Sequence, residues 1–191
     1  PRVRRQRQMC IRDRINIVLY SPEIPQNTGN IMRSCVGFDA KLHLIKPLGF
    51  SLDEKHLRRS ALDYFEYLDY EVYEDYADFL KKNPDGAVFY LTRYGHKSPK
   101  EIDFKEVDST KPIYIMFGRE STGIPYDILH DNLDNCFRIP TTDKIRSLNL
   151  SNCVAIMLYK VTSDLDDNPN LIKHEPDCYK GENFIDNWKS K

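Results

Sequence analysis

One short segment of the sequence holds more polar side chains than the start of a helix needs. Residues 145–152, IRSLNLSN, contain Ser147, Asn149, Ser151 and Asn152, and an apolar run of helical length follows them. One serine or asparagine is enough to cap a helix N-terminus. The other hydroxyl and amide groups need hydrogen-bond partners if they are buried, and a polar loop with a single cap leaves them unexplained. We therefore expect this segment to bind a ligand as well as to begin a helix.

A second segment predicts a site for an anion. Residues 22–34, PEIPQNTGNIMRS, indicate a proline-containing loop followed by a helix, and the N–H groups at a helix N-terminus attract negative charge. Arg33 lies about one turn inside this helix, where a cation opposes the helix dipole. An anion or an electron-rich oxygen nearby would offset that effect. The alternative is that Asn27 and Asn30 cap the helix and that Arg33 lies on the surface.

A third segment combines a carboxylate with two glycines. Residues 116–125, MFGRESTGIP, place Glu120 between Gly118 and Gly123 at the end of an apolar run. Glycine adopts backbone conformations with positive φ that other residues avoid. The pattern predicts either a ligand-binding loop or a simple tight loop in which Glu120 starts a helix.

Six apolar runs alternate with helical patterns and must position these segments. Strands are predicted over INIVLY (15–20), KLHLIKP (41–47), YEVYED (70–75), AVFYLT (87–92), IYIMFG (113–118) and CFRIP (136–140), and helices over 27–38, after 51, over 75–83 and over 150–163. This alternation predicts an α/β fold with a mostly parallel sheet flanked by helices. Ligands of such sheets bind outside the carboxyl ends of the strands. Residues 92–95, 118–123 and 141–152 follow three strand ends, so we expect a pocket rich in backbone N–H and C=O groups there.

The composition predicts a soluble globular protein without a metal. The chain has 191 residues, of which 30% are charged. It contains neither an apolar run long enough to span a membrane nor the pattern of a signal peptide. Its five cysteines lack a C-x-x-C pair, and its five histidines are scattered without metal-ligand spacing. We expect reduced thiols, a cytoplasmic location, no metal and no membrane partner.

Positive charge is unevenly distributed along the chain. Residues 1–14 hold six arginines and one aspartate, whereas the rest of the chain has 22 basic and 28 acidic residues, a net charge of −6. Binding to a nucleic acid therefore needs a local basic patch. The helical cluster KHLRRS offers Lys55, Arg58 and Arg59 for phosphates, although such a run is usually a solvated face.

Three regions are predicted from these patterns. Residues 1–14 form a basic leader outside the fold, because the first strand begins only at Ile15; the alternative is that this leader is an RNA-binding arm. Residues 15–165 form one domain, whose length is sufficient for a hydrophobic core. Residues 166–191 form a polar C-terminal tail.

Four stretches, in this order and at this spacing, resemble one family of enzymes: NIVLYSPEIPQNTGNIMR, LRRSALDY, FGRESTGIP and RIPTTDKIRSLNLSN. They are similar to the TrmL/YibK type of the SPOUT (SpoU–TrmD) methyltransferases, and the match runs from about residue 15 to residue 159. The resemblance implies a deep C-terminal trefoil knot, S-adenosylmethionine bound by the knot loops and a homodimer with its active site near the interface. It implies 2′-O-methylation of the wobble nucleotide, a cytidine or uridine at position 34 in the anticodon loop of tRNA.

The resemblance also implies site residues, matched position by position. Cofactor contacts fall on Leu91, Gly118, Gly123, Ile139, Ser147 and Leu148. Catalytic roles fall on Asn30, Arg33, Glu120 and Asn149. The sequence departs from many relatives at Arg119, where they have proline, which leaves the neighbouring backbone ligand intact but changes the loop.

Physical chemistry refines the role of the matched arginine. A guanidinium has a pKa above about 12 and is a poor base, so we expect Arg33 to stabilise the developing oxyanion and the adjacent phosphate, with the proton passing to phosphate or water. Two other functions stay open: a non-catalytic RNA-binding module of the same fold, and the same chemistry on ribosomal RNA. We also expect Gly118→Val to block the cofactor pocket while leaving the fold intact.

Overall fold

The computed structural model describes residues 14–52 and 64–165, together with Leu171 and Trp188. The helix predicted after residue 51, with Lys55, Arg58 and Arg59, lies outside the described residues, as do most of the predicted leader and tail. Arg14, predicted to belong to the leader, is buried, and its carbonyl accepts a hydrogen bond from the Ile113 N–H at 2.7 Å. Arg14 is therefore packed against the sheet next to β5.

Within the described residues, six parallel strands form one sheet: β1 (Ile15–Tyr20), β2 (Lys41–Ile45), β3 (Tyr70–Tyr73), β4 (Ala87–Leu91), β5 (Ile113–Phe117) and β6 (Cys136–Phe137). Their order is β3-β2-β1-β5-β4-β6, and every pairing is parallel. The predicted α/β class and all six predicted strands are confirmed. The last strand is shorter than predicted, because the Arg138 N–H donates to the Lys97 carbonyl at 2.8 Å and Pro140 has no N–H to donate.

Four α-helices flank the sheet in the described part of the chain: α1 (Pro25–Gly37), α2 (Tyr76–Lys82), α3 (Tyr126–His130) and α4 (Leu150–Leu165). Proline suits the first position of α1, where its missing N–H costs nothing, and Asp75 caps α2 by accepting from the Asp78 N–H at 2.8 Å. The sequence did not predict α3, because five residues are too few for a helical period to show.

The two faces of the sheet are covered by different helices. On one face, α1 packs against α4, and a cluster that includes Ile17, Met32 and Met157 is fully buried there. The other face packs against α2 and α3 around Val18, Phe79 and Ile128. Burial on both faces explains why β5 is a continuous apolar run and why β1 has one polar residue, Asn16, among apolar ones.

A polar network is buried on the α2 face. His43 Nδ1 lies 2.7 Å from the Tyr73 hydroxyl, and His43 Nε2 lies 2.9 Å from Asn16 Oδ1. Burial lowers the pKa of His43 to about 3, so the ring is neutral at pH 7. A neutral ring can donate from Nε2 to Asn16 and accept at Nδ1 from Tyr73, which satisfies both nitrogens.

The carboxyl ends of all strands lie at one edge of the sheet, because the strands are parallel. Residues 138–149 lead from β6, next to β4, to the start of α4, which packs beside α1. The trefoil knot implied by the resemblance concerns the threading of this connection, and it stays a prediction. Among the described residues, no helix combines the length and the apolar character needed to cross a bilayer.

Candidate functional site

A cavity of about 390 Å³ opens at the carboxyl ends of β4, β5 and β6. The segments after these three strands line it, together with the N-terminal turn of α1. This is the edge of the sheet at which a pocket was predicted. All six residues predicted to contact the cofactor line the cavity: Leu91, Gly118, Gly123, Ile139, Ser147 and Leu148.

The walls of the cavity combine apolar side chains with exposed backbone groups. Leu91 at the end of β4 and Ile139 and Leu148 in the segment after β6 supply apolar surface. In the part of the chain that the structure describes, no acceptor receives the backbone N–H groups of Ser147 and Leu148. The cavity can therefore hold a flat apolar group and also donate backbone hydrogen bonds to a polar one.

Gly118 lies where the loop after β5 closes on itself. Arg119 and Gly123 exchange two backbone hydrogen bonds, of 3.2 and 2.9 Å, and Gly123 has a φ of +79°. A Cβ atom on Gly118 would lie 2.0 Å from the Gly123 carbonyl carbon and 2.1 Å from the Ile124 nitrogen. The expectation that Gly118→Val leaves the fold intact is therefore wrong, because any side chain here displaces backbone atoms.

Glu120 joins the loop after β5 to the start of α1. Its carboxylate accepts hydrogen bonds from the Glu23 N–H at 2.9 Å, the Ile24 N–H at 3.3 Å and Asn27 Nδ2 at 3.0 Å. A carboxylate in this position stabilises the positive end of the helix dipole. These three bonds occupy both oxygens of Glu120, so the side chain positions the site in this structure.

Glu23 makes the reciprocal contact from the α1 side. Its carboxylate accepts from the Ser121 N–H at 2.9 Å and from the Ser121 hydroxyl at 2.8 Å. Arg146 donates to the Ser121 carbonyl at 2.6 Å and so connects the third segment to the same loop. Two carboxylates thus tie the first and second segments together from opposite sides.

Asn149 connects the third segment to this arrangement. Its Oδ1 accepts from the Ser151 N–H at 2.9 Å and the Ser151 hydroxyl at 2.7 Å, which caps α4, and its Nδ2 donates to Asn27 Oδ1 at 2.9 Å. Asn27 is buried and bridges Asn149 to Glu120, while Ile24 occupies the cap position of α1. The alternative in which Asn27 caps that helix is therefore wrong. We call Glu23, Asn27, Glu120, Ser121 and Asn149 the loop network.

The two other predicted catalytic residues lie outside the cavity. Asn30 and Arg33 are on the exposed side of α1 and are not among the residues that line the cavity. The Arg33 guanidinium lies 5.9 Å from the centre of the Tyr64 ring, and the Tyr64 hydroxyl donates to the Gly29 carbonyl at 3.1 Å. No carboxylate of the described residues forms an ion pair with Arg33.

Sequence reasoning missed a basic rim around the cavity. Four of the described arginines line the cavity, whereas Glu120 is the one acidic residue among the described residues that do so. We call this set the arginine rim: Arg93, Arg119, Arg138 and Arg146. A signal was present for two of them, since Arg93 and Arg119 directly follow the strands predicted over 87–92 and 113–118. The rim is a local basic patch in a chain whose residues beyond position 14 carry a net charge of −6.

Comparison with known proteins identifies, over most of the chain, the family that the sequence motifs resemble. The model of the SpoU rRNA methylase family matches residues 14–159. A tRNA (cytidine(34)-2′-O)-methyltransferase from Saccharophagus degradans is 42% identical over 151 residues, which cover 78% of this chain and 95% of that relative.

Two solved structures share the fold. One, from Bacillus anthracis, has a TM-score of 0.77 and 46% identity and covers 82% of this chain and 97% of its own. The other, solved in a study of 2′-hydroxyl methylation of C/U34 on tRNA, has a TM-score of 0.73 and 35% identity and covers 81% of this chain and 98% of its own. The family predicted from the sequence is confirmed: the chain belongs to the SpoU methylase family.

Proposed function

We propose that the protein transfers a methyl group from S-adenosylmethionine to the ribose 2′-hydroxyl of nucleotide 34, a cytidine or uridine, in the anticodon loop of tRNA. One observation carries this proposal. The six residues matched to cofactor contacts come from three separate segments and meet in one cavity, in a chain whose relatives act at that position of tRNA.

The cavity fits the cofactor by size and by chemistry. Its volume of about 390 Å³ is within the range of roughly 300–1,000 Å³ for small-molecule sites. Leu91, Ile139 and Leu148 suit the adenine ring, and the backbone N–H groups of Ser147 and Leu148 suit the polar atoms of the cofactor. When bound there, S-adenosylmethionine supplies a methyl group on a sulfonium whose charge disperses during transfer, a change that exclusion of water from the site favours.

The residues of the chain divide between positioning and electrostatics. Glu120 and Asn149 are committed to hydrogen bonds within the loop network, so they hold the cofactor loops in place. Arg33 is free of carboxylate partners in the described residues and supplies positive charge for the developing oxyanion and the neighbouring phosphate. The proton of the ribose hydroxyl passes to a phosphate oxygen or to water.

A homodimer would complete this site. Arg33 does not line the cavity of its own chain, whereas a partner chain packed against α1 and α4 could supply it. The exposed stripe of α4 carries Ile156 and Tyr159, which are 43% and 68% exposed. Apolar side chains on the exposed face of a helix are typical of an interface.

The dimer is tested by sedimentation. The wild-type protein should sediment at about twice 22.5 kDa at micromolar concentration, and Ile156→Glu should shift it towards the monomer. Leu80→Glu is the matched control, because Leu80 is an exposed apolar residue of α2 on the other face of the sheet. A wild-type monomer with full activity would rule out the dimer.

The methylation itself is tested by nucleoside mass spectrometry. Purified protein, S-adenosylmethionine and unmodified tRNA should yield 2′-O-methylcytidine or 2′-O-methyluridine at position 34, and a transcript with a 2′-deoxy nucleotide at that position should yield none. Ribosomal RNA is the second substrate in the same assay. Methylation of ribosomal RNA alone would move the activity to the other substrate, and binding without transfer to either RNA would indicate the non-catalytic module.

A further inference from the structure

An aromatic pair lies at the mouth of the cavity and takes no part in the core. Tyr94 follows β4, and Tyr126 is the first residue of α3; they are 41% and 67% exposed. Their hydroxyls are 3.1 Å apart, and their ring centres are 5.6 Å apart at an interplanar angle of 79°. Exposed tyrosines that contact each other edge to face present a flat surface to solvent at a fixed orientation.

Arg93 holds this pair in place. Its guanidinium lies 4.7 Å from the centre of the Tyr94 ring and donates to the Tyr94 hydroxyl. The hydrogen bonds from Tyr126 and Arg93 lower the pKa of Tyr94. Because Arg93 covers one face of Tyr94, the more exposed ring of Tyr126 is the open surface of the cluster.

The position of the cluster connects it to the cavity. Arg93 and Tyr94 line the cavity, whereas Tyr126 stands next to it. The arginine rim lines the same cavity, in a protein whose residues beyond position 14 carry a net charge of −6. Positive charge and an open aromatic face at one opening match the two demands of single-stranded RNA, which are contacts to its phosphates and stacking for its bases.

We propose that Tyr126, held by Tyr94 and Arg93, stacks against a base of the RNA next to the target ribose. This inference rests on the proposed function and names a further substrate-binding surface for it. A base that stacks there would fix the anticodon loop relative to the cavity, while the arginine rim contacts the adjacent phosphates.

The first experiment measures RNA affinity with an anticodon stem–loop RNA. Tyr126→Ala should raise its Kd by about 5-fold to 150-fold, the range for loss of one base–aromatic stack. Tyr126→Phe keeps the ring and should stay within about threefold of the wild type. Tyr67→Ala is the matched control, because Tyr67 is 59% exposed and does not line the cavity. The Kd for S-adenosylmethionine and the sedimentation of Tyr126→Ala should not change.

A second experiment identifies the stacked base. Single abasic nucleotides are placed in turn at each position of the RNA loop, and each RNA is tested against the wild type and Tyr126→Ala. At one position the abasic RNA should remove the difference between the two proteins, since the stack is already lost. Additive effects at every position would overturn the proposal, and so would an unchanged Kd in Tyr126→Ala or a loss of RNA affinity that accompanies loss of the dimer. A wild type that methylates no RNA contradicts the proposed function, whereas a Tyr126→Ala variant that binds RNA normally beside an active wild type contradicts only the stacking surface.

Discussion

The loop network and the arginine rim lie at the same cavity but differ in how far the chain satisfies their polar groups. The side chains of the loop network bond to one another or to backbone groups at distances of 2.7–3.3 Å. In the arginine rim, Arg93 and Arg119 lie against tyrosine rings and Arg146 donates to a carbonyl. None of the four rim arginines forms an ion pair with a carboxylate in the described residues. The difference indicates that the network positions the cofactor loops before a ligand binds, whereas the rim keeps its charge for a polyanion.

The largest effect is expected at Gly118 in the loop after β5, where the backbone leaves no space for a new atom. Gly118→Val places side-chain atoms against the Gly123–Ile124 backbone, so the loop must move. We expect a loss of about 3 kcal/mol in the free energy of unfolding and an affinity for S-adenosylmethionine at least about 100-fold weaker, by thermal unfolding and calorimetry. Gly37→Ala is the matched control, because no atom lies within 4 Å of its Cβ position. Wild-type affinity in Gly118→Val would show that this loop does not shape the cofactor site.

A smaller effect is expected when one carboxylate oxygen of Glu120 is replaced by a hydrogen-bond donor. Glu120→Gln keeps the shape of the side chain but places an NH₂ group opposite the donors of residues 23, 24 and 27. We expect the free energy of unfolding to fall by about 2 kcal/mol and the affinity for the cofactor to fall by about tenfold. Glu106→Gln, at an exposed position away from the cavity, should change neither. If Glu120→Gln keeps its stability but loses turnover, Glu120 acts directly in the chemistry.

The buried polar network on the other face of the sheet, in which His43 is hydrogen-bonded to Tyr73 and Asn16, should respond to pH. The folded protein lowers the pKa of His43 to about 3, below its unfolded value of about 6.5. Between these values the unfolded chain binds the additional proton, so the free energy of unfolding should fall by about 1 kcal/mol for each pH unit below pH 6.5. Denaturant unfolding of the wild type and His43→Gln from pH 7 to pH 4.5 measures this. Equal slopes for the two proteins would exclude His43 as the cause.

The smallest effect is expected at the rim, where each charge acts separately. Arg138→Ala should weaken tRNA binding severalfold and reduce the slope of log K against log salt by about 1, while leaving the affinity for the cofactor unchanged. Lys81→Ala removes an exposed charge from α2 on the opposite side and serves as the control. An unchanged salt slope in Arg138→Ala would remove this arginine from the RNA-binding surface.

The sequence predicted the sheet well because a buried parallel strand leaves a local signal. Runs such as residues 15–20 and 113–117 are apolar at every or nearly every position, and both are strands in the structure. The polar segments after three strands also predicted where the cavity lies, because parallel strands end at one edge. The helix α3 left no such signal, since five residues span little more than one turn.

The partners of the polar side chains could not be predicted from the sequence. Glu120 and the backbone of residue 23 are 97 positions apart, and Asn149 and Asn27 are 122 apart, so only the fold brings them together. The same holds for Tyr94 and Tyr126, which lie in different segments. Sequence patterns therefore indicated which residues are chemically unusual, whereas the topology determined which of them position the site and which remain open to a ligand.

Residues that position the site are thus distinguished from residues that remain open to a ligand. The most direct test of this distinction is the single-turnover rate of methyl transfer to nucleotide 34 of tRNA in Arg33→Ala. Arg33 is outside the loop network, so its loss should leave the affinity for S-adenosylmethionine nearly unchanged. The rate should fall by about 100-fold or more, the scale for loss of one oxyanion-stabilising group. Arg33→Lys should restore it only in part, because an ammonium cannot replace a two-pronged donor. An unchanged rate in Arg33→Ala, with the cofactor bound normally, would contradict the assignment of the exposed arginine to the reaction.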